Sequence, residues 1–554
     1  FDPQFAVAVS DNPLNNKEIP MPIRPGTIGR AALALAALAG AGSVQAGDQP
    51  QRLFLQQVAP HSAIVKWRGG DATRVCFSTK LSDLEKRNWP RCVDGIEEDI
   101  PDYDNHRQAL LTGLAPNQTY YYALGSIRGE DYQFRTPPNS NKPPRDGNTR
   151  IWMVGDSGTA TELNSAGLPR YPGQALAVAT GFEKFVAATG GEPADLFVLL
   201  GDNAYATGTD QHWQGAFFDI YTSLLKRTPA LPTIGNHEMG NGALPCQFIG
   251  ACGSNPPGTL VPLAGTSVSS DPSSYSGDSN LSPDAGGMPY LNIFSLPIGA
   301  ESGGVASGTE QYYSVDYGNV HIVSLDTQLS ARDASQRAAM MDWLLADLGS
   351  NSRDWTVVIF HHPPYTKGAN HDSDRANGGL GIDQPQWDMR VEFTPIFEEY
   401  GVDVVYSGHS HSYERSYYLQ GSRDVSTPSD PILYAELDAA GQPVRGYGDQ
   451  SYQQISPTSG YVDDRVVYTV AGSSGKFDTN QGAVTPAAEW MRHPVHVPQP
   501  ADSLCTAAPD DGFAGCRNGL LVLGSVVLDA SATRLTSRFI DINGNVLDEF
   551  TIER

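Results

Sequence analysis

The sequence lacks a hydrophobic run long enough to cross a membrane, because no stretch reaches about eighteen consecutive strongly apolar residues. Stable membrane insertion is therefore not expected. Positive charge is also scarce: 37 Lys and Arg residues stand against 62 Asp and Glu residues, which leaves a formal net charge of −25. A chain with this charge repels polyanions, so nucleic acids and anionic membranes are not expected partners, and any phosphate chemistry needs a local cation.

Charged residues make up only 18% of the 554 residues, whereas 57 Gly and 40 Pro are present. This composition excludes a coiled coil and a fully disordered chain, and it favours a globular protein with long ordered loops. At about 150 residues per domain, the length predicts about three or four domains.

The cysteines lack the CxxC spacing of a zinc ribbon, which excludes that kind of structural metal site. They fall instead into three close pairs, as local disulfides do in a chain that matures in an oxidising compartment. Six cysteines allow many other pairings, so only proximity in the sequence favours this one. The pairs are Cys76 with Cys92, Cys246 with Cys252, and Cys505 with Cys516.

The segment 21–46 has the pattern of an export signal, with Arg24 and Arg30 before an Ala/Leu run and small residues before Gly47. An exported protein, periplasmic or extracellular, is therefore expected, and residues 1–47 are assigned to an N-terminal extension. The alternative is an Ala-rich amphipathic or buried helix.

Residues 48–137 alternate short apolar runs with turn residues, which predicts a small all-β sandwich. Within it, the segment from Leu111 to Tyr122 resembles the corner of a fibronectin type III domain. Its expected role is that of a structural spacer. Residues 138–148 are rich in Pro, Asn and Ser and predict a linker.

Residues 149–554 predict an α/β domain, because short apolar strands alternate with helical stretches at 174–189, 336–348 and 389–400. Polar, turn-rich insertions at about 240–308 and 420–465 could border a crevice as lids or be mere surface elaboration. Apolar runs near the carboxyl terminus predict final strands that join the second sheet.

Five apolar runs of this domain each end in residues that can bind a metal. In open α/β sheets ligands bind beyond the carboxyl ends of the strands, so these residues are expected in one crevice. The runs are 150–154, 196–200, 231–234, 356–360 and 402–407, followed in turn by Asp156, by Asp202 and Tyr205, by Asn236, His237 and Glu238, by His361 and His362, and by His409 and His411.

Any one of these clusters has an ordinary structural explanation, since Gly-Asp is a common turn and a lone His is often a core residue. Together they indicate a ligand site. Asp and Asn oxygens with imidazoles and no thiolate suit Fe, Mn or Zn. The number of candidates exceeds one tetrahedral site and fits two cations that share a bridging carboxylate, which is suited to phosphoester hydrolysis. The candidates are Asp156, Asp202, Tyr205, Asn236, His361, His409 and His411.

The motifs resemble, in the same order, those of the purple acid phosphatases within the calcineurin-like metallophosphoesterases, in their plant-type large form. This resemblance implies a two-sheet αββα sandwich preceded by the fibronectin-like domain, and hydrolysis of small phosphomonoesters at acid pH. The motifs are Asp156-x-Gly158, Gly201-Asp202-x-x-Tyr205, Gly235-Asn236-His237-Glu238, Val358-x-x-His361 and Gly408-His409-x-His411.

The resemblance also implies one Fe(III) and one divalent ion, Zn, Fe or Mn, in each chain. Fe(III) would be held by Asp156, Tyr205 and His411, the divalent ion by Asn236, His361 and His409, and Asp202 would bridge. Most relatives carry a His where this chain has Gly158, and the Tyr205 phenolate would supply the missing ligand. Otherwise Tyr205 would simply pack against its loop.

A hydroxide bound to the metals is the implied nucleophile, and His237 the implied proton donor to the leaving oxygen. His371 resembles a phosphate-contacting His of the family, although it could be an exposed loop residue; with Asn236 these two form the expected substrate site. Lys367 and Arg375 are candidate phosphate clamps.

Glu238, Glu414 and His362 are expected to support the structure. Two alternatives remain open: a dinuclear metallophosphodiesterase or nucleotidase, and an exported binding or adhesion protein with a vestigial phosphatase fold. The sequence carries no signal for an oligomeric state.

Overall fold

The computed structural model describes most of the chain from residue 50 onward. The described residues are 50–88, 91–98, 106–191, 193–239, 288–328, 334–368, 370–374, 384–421, 434–455, 464–478, 489–499 and 518–554, with the short antiparallel strands Leu244–Pro245 and Leu260–Val261. The predictions for residues 21–46, Arg375, Cys246, Cys252, Cys505 and Cys516 lie outside the described residues.

Eight N-terminal strands form two four-stranded antiparallel sheets, ordered β1-β2-β6-β5 and β4-β3-β7-β8. Buried apolar side chains, among them Leu55, Val65 and Tyr122, fill the space between them. The β-sandwich expected here is therefore present, whereas the fibronectin resemblance stays a prediction. The strands are β1 Arg52–Gln56, β2 Ser62–Arg68, β3 Arg74–Ser78, β4 Arg91–Asp94, β5 Ile96–Glu97, β6 His106–Thr112, β7 Thr119–Leu124 and β8 Gln133–Arg135, with helix α1 at Leu81–Glu85.

The first predicted cysteine pair is confirmed. Cys76 in β3 lies opposite Cys92 in β4, and a disulfide joins them across the antiparallel ladder.

The sandwich packs directly on the rest of the chain, and residues 47–554 form one unit. Arg52 in β1 is buried and donates to Asp210 over 2.6 Å, and Arg68 in β2 donates to the same carboxylate over 2.8 Å. A buried carboxylate shared by two guanidinium groups fixes the orientation of the contact, because neither charge can be left without its partner at low cost.

Two seven-stranded mixed sheets form the body of the molecule. The order of the first is β11-β10-β9-β22-β23-β24-β19, and that of the second is β14-β15-β16-β17-β20-β18-β21. The strands of the first sheet are β9 Thr149–Val154, β10 Leu196–Leu199, β11 Ala230–Pro232, β19 Tyr452–Gln453, β22 Gly524–Ala530, β23 Arg534–Asp541 and β24 Val546–Glu553. Those of the second are β14 Tyr313–Tyr317, β15 Val320–Ser324, β16 Trp355–Ile359, β17 Val404–Ser407, β18 Tyr413–Leu419, β20 Val466–Ala471 and β21 Gly519–Leu520, and the short pair at 244–245 and 260–261 is numbered β12 and β13.

The two sheets face each other across a buried core. Tyr406 of the second sheet donates to Ser537 of the first over 2.7 Å, and the rings of Tyr413 and Phe539 stack with their centroids 4.1 Å apart. Of the carboxyl-terminal strands, the two-residue β21 pairs with β18 in the second sheet, whereas β22, β23 and β24 belong to the first sheet, where β22 pairs antiparallel with β9. The expectation that the final strands join the second sheet is therefore correct for β21 and wrong for β22, β23 and β24.

Helices cover the outer faces of both sheets, which confirms the predicted α/β class. Phe182 of α2 stacks on Trp152 of the first sheet at 4.6 Å, and Phe397 of α8 packs against Phe360 beside the second sheet. The remaining helices are α2 Gln174–Thr189, α3 Asp210–Trp213, α4 Thr222–Leu225, α5 Pro289–Ile293, α6 Ala334–Ser350, α7 Gln384–Asp388 and α8 Thr394–Glu399, with 3-10 turns at Gly158–Thr161 and His237–Met239 and π-helical turns at Gln214–Phe218 and Met389–Phe393. Within the described part of the chain, no helix is both long and apolar enough to span a bilayer.

Candidate metal centre

Five loops converge at one edge of the two sheets. Strands β9, β10 and β11 run parallel, as do β16 and β17, so their carboxyl ends lead to the same side of the molecule. Each loop places a candidate ligand two to four residues after its strand: Asp156, Asp202, Asn236, His361 and His409.

A first group forms around the Tyr205 hydroxyl. It donates to Oδ2 of Asp202 over 2.8 Å and lies 3.1 Å from Oδ1 of Asp156. Nε2 of His411 is 3.6 Å from the same oxygen of Asp156. The three groups that the resemblance assigns to Fe(III) are therefore together, and the Tyr205 ring is buried.

A second group forms around the Asn236 side-chain oxygen. Nε2 of His361 lies 3.1 Å from it and Nδ1 of His409 lies 3.0 Å from it. Oδ1 of Asp202 is 3.4 Å from Nε2 of His361, while its other oxygen faces Tyr205. Asp202 thus stands between the two groups with one oxygen turned to each, as a bridging carboxylate must.

Three of these residues hold their loops in an unusual backbone conformation. Asp156, Asp202 and His409 have φ values of 53°, 53° and 67°, in the left-handed region that non-glycine residues rarely adopt. Each costs on the order of 1–3 kcal/mol, so the surrounding contacts must compensate. One such contact is the His409 N–H, which donates to Oδ2 of Asp156 over 2.7 Å.

Glu238 supplies further contacts of this kind. Its buried carboxylate accepts the backbone N–H groups of Asp202, Asn203 and Gly235 over 2.9, 2.7 and 2.7 Å. The loops after β10 and β11 are thereby tied to each other. Glu238 thus has a structural role, as expected, because its carboxylate holds these two loops together.

Hydrogen bonds to Nδ1 orient two of the imidazoles so that Nε2 faces the cluster. Nδ1 of His361 lies 2.8 Å from the Leu200 carbonyl oxygen, and Nδ1 of His411 lies 3.0 Å from Oδ1 of Asp478. Such outer partners fix the tautomer of a metal-binding His. Asp478 is absent from the predicted site, although a signal for it exists: the apolar strand β20 also ends in a Gly- and Ser-rich turn that leads to it.

Both predicted substrate-binding histidines lie at the centre. Nε2 of His237 is 3.7 Å from Oδ2 of Asp202, and its Nδ1 is 2.7 Å from the Ala206 carbonyl oxygen. The His371 ring lies 3.8 Å from the His409 ring, measured between centroids.

Lys367 does not act as a phosphate clamp. Its ammonium group contacts the carboxylates of Asp372, Asp374 and Glu489 at 2.8, 3.0 and 3.3 Å. A cation enclosed by three carboxylates contributes little positive potential at the centre, so that prediction is wrong. His362 lies against the site, with Nδ1 2.8 Å from the Thr327 hydroxyl oxygen, in keeping with a supporting role.

The electrostatics of the cluster favour cations. Burial raises the pKa of Tyr205 well above its usual range, and the Asp156 and Asp202 carboxylates raise it further. Burial lowers the pKa of His361, but Asp202 outweighs this effect and raises it to about 9. The raised pKa values mean that Tyr205 and His361 hold their protons next to the carboxylates. Bound metal ions can take the place of these protons.

The donor set fits two such ions. One ligand atom each from Asp156, Asp202 and His361 lie within 4.8 Å of one another, and the same holds for His361, His362 and His409. Carboxylate, amide, phenol and imidazole groups match the preferences of iron, zinc and manganese.

Comparisons with known proteins agree with this geometry. The family profile described as calcineurin-like phosphoesterase matches residues 149–413. Purple acid phosphatase 22 of Arabidopsis thaliana is 26% identical over 322 residues, which are 58% of this chain and 55% of the relative. The uncharacterized protein Rv2577 of Mycobacterium tuberculosis is 28% identical over 397 residues, 66% of this chain and 62% of the relative. The chain thus spans a little more than half the length of these relatives.

Two solved structures share the fold. The purple acid phosphatase PPD1 from yellow lupin seeds has a TM-score of 0.56 and 17% identity, with 91% of this chain and 74% of that chain covered. A PhoD structure has a TM-score of 0.51 and 13% identity, with 92% and 91% covered. These likenesses, the matched profile and the order of the motifs lead to one assignment: residues 149–413 are a calcineurin-like phosphoesterase domain, and the chain is a relative of the purple acid phosphatases.

Proposed function

We propose that the chain is a metal-dependent acid phosphatase that hydrolyses small phosphomonoesters at a dinuclear centre. The observation that carries this proposal is the position of Asp202, which turns one carboxylate oxygen to Tyr205 and the other to His361. A carboxylate between two ligand groups is what a two-metal phosphoesterase requires.

Fe(III) is assigned to Asp156, Tyr205 and His411, because a phenolate is a hard anionic ligand that suits a trivalent ion. A divalent ion, Zn, Fe or Mn, is assigned to Asn236 and the imidazoles of His361 and His409. Bound there, the two cations would neutralise phosphate oxygens and activate water as Lewis acids. The seven side chains supply the charge and the geometry that hold them.

The surrounding residues bind the substrate and handle the proton. His237 is anchored through Nδ1 to the Ala206 carbonyl oxygen, so its Nε2 is the atom that can give a proton to the leaving oxygen. His371 is proposed to contact a phosphate oxygen together with Asn236, and the packing of its ring on His409 supports this role. Both roles follow the family resemblance and the positions of the rings.

Small phosphomonoesters are the proposed substrates, since a net charge of −25 disfavours polyanions such as nucleic acids. Export to the periplasm or the extracellular space is proposed as well. The disulfide between Cys76 and Cys92 supports it, because such bonds persist in oxidising compartments.

The test is hydrolysis of p-nitrophenyl phosphate and of its bis ester by the purified protein, with metal analysis and a visible absorption spectrum. We expect the monoester to be preferred in mild acid, with iron bound and a purple colour. Preference for the bis ester would replace the monoesterase by a diesterase, and a metal-free, inactive protein would favour a binding protein with a vestigial site.

The Asp202→Asn variant tests the bridging position. It keeps the size of the side chain and removes its charge, so we expect loss of activity and of bound metal together. Asp342→Asn is the matched control, because Asp342 is exposed on α6.

A further inference from the structure

A lysine ammonium group lies over the face of the candidate tyrosine ligand. Nζ of Lys476 is 3.8 Å from the centre of the Tyr205 ring. The lysine side chain is only 10% exposed, and the ring beneath it is buried. Lys476 follows residue 413, where the family match ends, and it is absent from the predicted site.

The position of this ammonium group is built into the fold. Nζ lies 3.3 Å from Oε2 of Glu162, whose other oxygen accepts from Arg170 over 2.7 Å. The preceding residue, Gly475, accepts a hydrogen bond from the Thr159 hydroxyl over 2.8 Å. A Cβ at position 475 would come within 2.5 Å of the Asp156 carbonyl oxygen, so the backbone here packs tightly on the first ligand loop.

The contact acts on the ring and leaves its oxygen available. The Tyr205 hydroxyl is directed at Asp156 and Asp202, while the ammonium charge lies against the π-face. A cation over a tyrosine ring is attracted to it, and most strongly where both groups are desolvated. The attraction grows when the ring carries the charge of a phenolate, because the Coulomb term is large in a buried site.

We propose that Lys476 is a positioning residue for the Tyr205 ligand, and that its charge sets the energy of the visible charge-transfer band. The inference rests on the proposed ferric centre. A positive charge close to the ring lowers the energy of the phenolate electrons that the absorption moves to the iron. The band of the native protein therefore lies at shorter wavelength than the same ligands would give without Lys476.

The experiment compares visible spectra and iron content of the iron-loaded protein with those of Lys476→Met and Lys476→Arg. Lys476→Met keeps much of the stem and removes the charge, so its band is expected at longer wavelength and its iron is expected to be lost more readily to a chelator. Lys476→Arg keeps the charge and is expected to restore the native band. Lys184→Met, at an exposed lysine of α2, removes one positive charge elsewhere and serves as the control.

Several outcomes would overturn the inference: an unmoved band in Lys476→Met, or an equal shift in Lys476→Arg. If Lys476→Met loads no iron, Lys476→Arg is decisive. Native iron retention in Lys476→Arg supports a role of the charge, whereas loss of iron from Lys476→Arg refutes that role. Weaker binding of inorganic phosphate to Lys476→Met with an unmoved band would assign the lysine to the substrate instead. A colourless native protein would refute the ferric centre itself, and this inference with it.

Discussion

Gly158 packs so closely against Asn203 that a Cβ at position 158 would lie 2.2 Å from the Asn203 carbonyl carbon. The Gly158 N–H donates to the Asp202 carbonyl oxygen over 3.1 Å, and the Tyr205 N–H donates to the Gly158 carbonyl oxygen over 3.0 Å. The first two ligand loops are therefore in direct backbone contact. The same contact leaves no room for a side chain such as an imidazole at position 158.

Gly158→Ala is expected to separate these loops. The added methyl group would overlap backbone atoms that cannot rotate away, so we expect a loss of about 1–3 kcal/mol in the free energy of unfolding, together with reduced metal content. Urea unfolding and metal analysis measure the two effects.

Gly349→Ala is the matched control for this substitution. Gly349 lies in α6, and its added Cβ would be 3.5 Å from the Tyr400 ring, an ordinary contact distance. Since Ala favours a helix over Gly by up to about 1 kcal/mol, this variant should be as stable as the native protein or more so. Equal stability and equal metal content of the two variants would contradict the steric argument.

Tyr205→Phe tests the phenolate assignment directly. The ring that packs under Lys476 and beside His237 is retained, and only the hydroxyl that contacts Asp156 and Asp202 is removed. We expect the visible band to disappear and iron affinity to fall by more than the roughly 10–100-fold that loss of an outer partner costs. A purple Tyr205→Phe protein with native iron content would show that the colour comes from another group.

The ligand-bearing loops could be predicted from the sequence because each follows a short apolar run. The runs before Asp156 and His361 are buried strands, β9 and β16, and their direction alone determines where the next residues lie. Helix α2 has the predicted bounds, since its apolar spacing and flanking Gly residues are local signals. These features depend only on neighbours along the chain.

Long-range contacts are the part that could not be predicted. The Gly- and Ser-rich turn after β20 is a local signal for the segment that carries Lys476 and Asp478, but these residues join the site because β20 pairs with β17, and no local pattern identifies that partner strand. Of the three carboxylates around Lys367, those of Asp372 and Asp374 are local, and only that of Glu489 comes from a distant segment. The pairing of β22 with β9 is likewise a contact between strands far apart in the sequence, and no local pattern identifies it.

Asp478 should control how firmly His411 binds its metal. Asp478→Ala removes the acceptor 3.0 Å from Nδ1 of His411, so the imidazole loses both its orientation and its added basicity. We expect metal affinity to fall about 10–100-fold. Asp478→Asn keeps an acceptor oxygen and should have a smaller effect, whereas Asp342→Ala on the exposed side of α6 should have none. Competition with a chelator gives the three metal affinities. If they do not decrease in the order Asp342→Ala, Asp478→Asn, Asp478→Ala, Asp478 does not support His411 in this way.

His321 predicts a fall in stability at alkaline pH that does not involve the metal centre. It is buried in β15, with Nδ1 2.8 Å from Asp316 and Nε2 2.9 Å from Asp347. Burial lowers its pKa, but the hydrogen bonds to the two carboxylates outweigh this effect and raise it to about 9. A raised folded-state pKa stabilises the protein fully below the unfolded value of about 6.5, and the stabilisation is lost as pH rises toward about 9. The loss amounts to about 3 kcal/mol.

Urea unfolding across this pH range should show the decline in the stability of the native protein. His321→Gln cannot take up the proton, so this variant should be less stable at neutral pH and should not show the decline. Parallel pH profiles for the two proteins would mean that His321 is not charged in the folded state.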